Sequence, residues 1–172
     1  MSRRKFLALL GGATVPAWVA GASAKELDYS KLHQLDAEDL AEQGMKTAYE
    51  ALAADLRHHG IEPAAMAEEI DPNAPTYAVH ISGRKYVVYS PEVTSNDYQS
   101  WGQATYLFFK IVNDQLAEIN SKVRFYAING GNDLGGLFLM PDDAMAARNS
   151  LPRREDWPYI PTDTAPWYGQ FH

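Results

Sequence analysis

Apolar residues recur at steps of three and four along Trp101–Ile119: Trp101, Ala104, Leu107, Phe108, Ile111, Val112, Leu116 and Ile119. That spacing marks one broad face of an α-helix. Burying its large side chains contributes about 1.5–3 kcal/mol each, before entropy is subtracted. An earlier stripe, Met45, Tyr49, Leu52 and Leu56, predicts a second helix from Asp36 to about His59. Asp36 can cap it, Glu38 and Asp39 suit its first turn, and Gly60 suits its end. Two segments switch to a period of two. Thr76–Ile81 and Lys85–Ser90 read as a hairpin turning at Ser82-Gly83-Arg84. Lys122–Asn129 and Leu134–Met140 read as another, joined by the glycine- and asparagine-rich run that ends at Asp133. Gly135-Gly136 inside the fourth strand suggests a bulge or a close backbone approach. Ala64–Ile70 is read as a short helical turn, and Pro141-Asp142-Asp143 opens a last helix ending near Asn149.

The order α-β-β-α-β-β-α implies an α+β fold: an antiparallel sheet of about four strands in two hairpins, packed against helices. Residues 25–172 form a single domain on this reading. Its last part, 151–172, has a different texture, with four prolines among Trp157, Tyr159, Trp167, Tyr168 and Phe171. Proline there rules out a long helix, and so many rings are expected to lie in grooves of the domain as an extended tail.

Charge and composition narrow the function classes. The formal charge is −7, and the first 24 residues hold Arg3, Arg4 and Lys5 with no acid, so the remainder is more acidic still. Such a chain is repelled by nucleic acid and by anionic membranes; the charge suits a basic protein partner or serves simply to keep the protein in solution. The absence of cysteine excludes disulfides, thiolate nucleophiles, iron–sulfur clusters and cysteine-ligated zinc. The first 24 residues combine a basic start, a short apolar middle broken by Gly11, Gly12 and Pro16, and Ala22-Ser23-Ala24 at the end. These are the parts of a cleavable secretory signal. Ser2, Arg3, Arg4, Phe6 and Leu7 resemble a twin-arginine (Tat) signal, although Ala8 stands where lysine is usual. The resemblance implies a bacterial protein that reaches the periplasm already folded.

Motifs for chemistry are mostly missing. There is no G-x-S-x-G, H-E-x-x-H, phosphate-binding loop or C-x-x-C. His58 and His59 point about 100° apart on a helix, which does not suit one metal ion. No cofactor is implied. The reading is therefore an exported partner-binding protein, in type an immunity protein that inhibits a toxin acting in the periplasm. The partner would be an enzyme with a basic surface. Aromatic anchors and acids would make the contact, with Asp142, Asp143, Trp157, Tyr159, Trp167 and Tyr168 as the candidates. The alternative is a small periplasmic enzyme or ligand carrier with a pocket between sheet and central helix. Tyr77, His80, Tyr86, Tyr126 and Asn129 would then line the pocket, without a recognisable acid–base pair.

Overall fold

The structure is a computed structural model that describes residues 26–71, 73–93 and 97–172. The expected signal segment, 1–24, lies outside the described residues. The fold is α+β. In order it comprises β1 (His33–Gln34), α1 (Ala37–Asp39), α2 (Met45–Ala51), α3 (Ala53–His58), β2 (Ala67–Asp71), β3 (Thr76–Ile81), β4 (Arg84–Tyr89), α4 (Asp97–Glu118), β5 (Arg124–Ile128), β6 (Gly135–Leu139) and α5 (Pro141–Ser150).

Helix α4 carries the centre of the core. Ala104, Leu107, Phe108, Ile111, Val112 and Leu116 are buried as the periodicity requires, and Phe109 joins them. Ile119 lies just past the helix end and is exposed. The helix packs against β4 and β5. Phe109 stacks on Phe125 of β5 with ring centroids 4.7 Å apart. Asn113 ties the same strand from the side. Its amide Nδ2 donates to the Phe125 carbonyl at 2.9 Å, and its Oδ1 accepts from the Phe125 N–H at 2.8 Å. The side-chain amide thus satisfies backbone groups of β5 as a neighbouring strand would.

Both expected hairpins form, but each belongs to its own antiparallel sheet of three strands, ordered β2-β3-β4 and β1-β6-β5. The extra strands come from stretches without alternating hydrophobicity. β2 replaces the helical turn expected at Ala64–Ile70, and pairs with β3 from Ala67↔His80 to Asp71↔Thr76. Its acids find partners across that ladder: the Tyr77 hydroxyl donates to Glu68 at 2.7 Å, and Lys85 donates to Glu69 at 2.8 Å. β1 is two residues long and pairs with β6. In β6 the glycines serve close approach. A Cβ on Gly136 would overlap the Phe125 ring, and one on Gly135 would crowd Leu32. The β5–β6 register runs without a bulge from Arg124↔Leu139 to Ile128↔Gly135.

The helix expected from Asp36 to His59 is broken. Asp36 caps as anticipated, its Oδ1 accepting the Glu38 N–H at 2.8 Å. After α1 the chain kinks across Leu40–Gly44, where Glu42 (φ −92°, ψ 42°) and Gln43 (φ 73°, ψ 22°) leave helical geometry. Gly44 permits the kink, since a Cβ there would collide with the Asp39 carbonyl. The stripe Met45, Tyr49, Leu52 and Leu56 is still fully buried. Among the described residues, no helix is long and apolar enough to cross a membrane.

Candidate functional site

The C-terminal segment is folded onto the body through its rings. Ala127 and Tyr159 exchange backbone hydrogen bonds at 2.8 and 2.9 Å, so the segment adds a rung along the open edge of β5. The Tyr159 side chain is buried, and its hydroxyl donates to the Asn129 carbonyl at 2.8 Å. Burial pushes that phenol far above its ordinary pKa. The Trp157 indole N–H donates to the Leu151 carbonyl at 3.1 Å, and its ring meets Phe171 edge-on. Arg148 of α5 holds both sides together. Its Nε donates to the Pro158 carbonyl at 2.7 Å while its guanidinium lies 4.9 Å from the Phe171 ring centre. Farther on, Tyr168 donates to the Gln99 carbonyl at 3.2 Å, and its ring fills the space over Gly102 on α4.

Trp157, Tyr159 and Tyr168 are therefore anchors within the molecule, and their rings are largely committed to it. Trp167 is different. It is 51% exposed, and its ring stacks on His172 at 4.3 Å. Asp142 is exposed and Asp143 half-buried in the first turn of α5. That helix buries Ala144 and Ala147, and turns Met145 outward at 61% exposure. With Met140 and Ile160, the stretch from 140 to 172 holds four of the eight exposed large hydrophobic residues among those described.

The five residues proposed for a pocket do not come together. Tyr77 is fully buried, and burial with the Glu68 carboxylate beside it raises its pKa strongly. His80, on β3, faces outward, its Nε2 2.6 Å from Glu69. Tyr86 is half-buried on β4, in the same sheet. Tyr126 and Asn129 belong to the other sheet. Tyr126 is buried on β5, and Asn129 (φ 56°) ends that strand with its carbonyl taken by Tyr159.

A second concavity was missed in the sequence. An open trough of about 790 Å³ runs along the Leu40–Gly44 kink, with Leu32, Leu35, Asp36, Asp39 and Glu42 among its lining. Asp39, read as a first-turn acid of one continuous helix, carries no signal of a concavity, and Glu42 has no role in that reading. Gly44, inside a helical period, was the one available clue. His33 stands in the trough wall, with Nε2 3.2 Å from Asp55. Among the described residues, no group of three or more histidines and acids is placed to hold a metal ion. His59 packs on Phe138 at 4.8 Å, and burial lowers its pKa. No family model, curated protein or solved structure matches the chain.

Proposed function

We propose that this is an exported partner-binding protein, of the immunity type that inhibits a toxin acting in the periplasm. Its contact surface is built from α5 and the C-terminal segment. One observation carries the reading. Half of the exposed large hydrophobic residues of the described chain fall between 140 and 172, on a segment otherwise fastened down by buried rings. Fastened backbone with outward Met145 and Trp167 resembles a preorganised interface, where little ordering entropy remains to be lost on binding. Asp142 and the acidic net charge favour a basic partner.

Native mass spectrometry of the protein purified gently from its host tests this. A stoichiometric second polypeptide is expected. Its retention should fall by at least about tenfold in the double variant Met145→Ala with Trp167→Ala, at unchanged thermal stability. An assay of that polypeptide's activity with and without the protein then separates an inhibitor from a structural subunit. A bare chain carrying a small molecule would overturn the proposal in favour of a ligand carrier.

A further inference from the structure

We infer that Tyr126, Arg124 and Arg148 form a binding site for an oxyanion, the carboxylate or phosphate group of a ligand, on the side of β5 that faces α5. Such a site takes its anion whether or not the protein also has a polypeptide partner.

Two exceptions to the pattern of the molecule meet there. The first is Tyr126. Among the described residues five tyrosines are buried. Four give their hydroxyl to an acceptor in the protein: Tyr49 to Gln115, Tyr77 to Glu68, Tyr159 to Asn129 and Tyr168 to Gln99. Tyr126 is only 7% exposed, yet its hydroxyl has no acceptor among the described residues. No fully enclosed side-chain nitrogen or oxygen of the described residues lacks a partner, so this hydroxyl opens on solvent. A buried ring thus carries an O–H to the surface with no group of the protein to receive it. Burial raises its pKa against the pull of Arg148 and Arg124, so the phenol is protonated at neutral pH and serves as a donor.

The second exception is the arginines. Arg57, Arg84 and Arg153 are exposed, and each pairs with a carboxylate. Arg154 is exposed and lies over the Trp157 ring. Arg124 and Arg148 are half-buried, and meet no carboxylate among the described residues. That reverses the usual order, since a cation that gives up water needs a counter-charge more than an exposed one does. Carbonyls hold both in place. Arg124 donates from Nη1 to Ser121 and Val123 at 2.5 and 2.7 Å, and Arg148 donates from Nε to Pro158. Nη2 of Arg124 and both Nη groups of Arg148 have no acceptor among the described residues. Arg124 lies two residues before Tyr126, on the same face of β5. Arg148 follows Ala147, which packs with Ile128 of that face. The charges that act on the Tyr126 phenol are these two, both positive. A fixed O–H, fixed guanidinium N–H groups and two uncompensated positive charges suit an oxyanion.

The test is amide-shift mapping by NMR on the full chain, titrated with inorganic phosphate, with sodium acetate and, at matched ionic strength, with sodium chloride. An oxyanion should shift the amides of Arg124–Ala127 and Ala147–Arg148 saturably, and chloride should not. Tighter binding of phosphate assigns the site to a phosphate group, and tighter binding of acetate to a carboxylate. Tyr126→Phe removes a hydroxyl that holds nothing within the protein, so the thermal midpoint should be unchanged while the affinity falls about tenfold. Arg148→Gln should weaken binding at least as much; because Arg148 also holds Pro158 and Phe171, Tyr126→Phe is the deciding variant. Lys46→Gln, which removes a positive charge from α2, should leave the affinity intact. Chloride acting as strongly as both oxyanions, shifts confined to other parts of the chain, or a Tyr126→Phe variant that binds like the wild type would overturn the inference.

Discussion

Two tryptophans in one tail segment have opposite physical roles. Trp157 gives its indole N–H to Leu151, meets Phe171 edge-on and has the Arg154 guanidinium over its ring. Trp167 stacks on His172 and leaves half its surface in water. Trp157→Ala should therefore cost about 2 kcal/mol of stability by urea denaturation, and Trp167→Ala less than about 0.5 kcal/mol. Asn113 is a sharper case. Truncation to alanine strands both the N–H and the C=O of Phe125 inside the core, and should cost about 1–3 kcal/mol in the same measurement. An Asn113→Asp variant keeps the acceptor and loses the donor, so it should not restore wild-type stability.

At the scale of elements, legibility followed hydrophobic contrast. α4 and the strands of both hairpins were readable because their buried residues repeat with the right period. β2 was not, because Ala-Glu-Glu-Ile-Asp lacks both alternation and β-propensity. It is a strand because β3 offers it an edge and because Tyr77, His80 and Lys85 receive its acids. β1 is too short to carry a pattern. The partition into two sheets depends on which strand edges meet, and nothing local encodes that. The trough was hidden for a related reason: Asp36 and Asp39 belong equally well to the capped start of a continuous helix, and only the dihedral angles at Glu42 and Gln43 distinguish the two. Of the four aromatic candidates in the tail, Trp157, Tyr159 and Tyr168 are held against the body and Trp167 faces out, and the sequence does not say which rings face in. One contact between elements gives a direct test. Gly102→Ala places a methyl group inside the Tyr168 ring position, so it should detach the end of the tail while sparing α4. Limited proteolysis should then cut near 162–168 in the variant and not in the wild type, with the far-ultraviolet circular dichroism unchanged.

For the molecule as a whole, stability should respond to acid in two separate windows. Burial, with His58 alongside, holds the His59 pKa below its ordinary 6.5, although Asp55 pulls the other way. The unfolded chain then binds the proton first as pH falls through 6.5, so stability declines until folded His59 also protonates. Urea midpoints should drop as pH falls through 6.5, and His59→Phe, which keeps a ring on Phe138, should remove most of that drop. A second decline belongs to Glu69 and Asp156. Hydrogen bonds from Lys85 and His80, and from Arg153, lower their pKa values, so their contribution is present at neutral pH and is lost as pH falls below the ordinary values of 4.5 and 3.8.

The pairing of β1 with β6 bears on the order of folding. His33 meets Gly136, about a hundred residues later in the chain, and Leu35 donates to the Leu134 carbonyl beside it. Closing so large a loop is entropically costly until α4, β5 and β6 already stand in place, which makes β1 a late arrival. A strand of two residues cannot nucleate anything; it can only report that its dock exists. Docked β1 is therefore a mark of completion sited a few residues after Lys25.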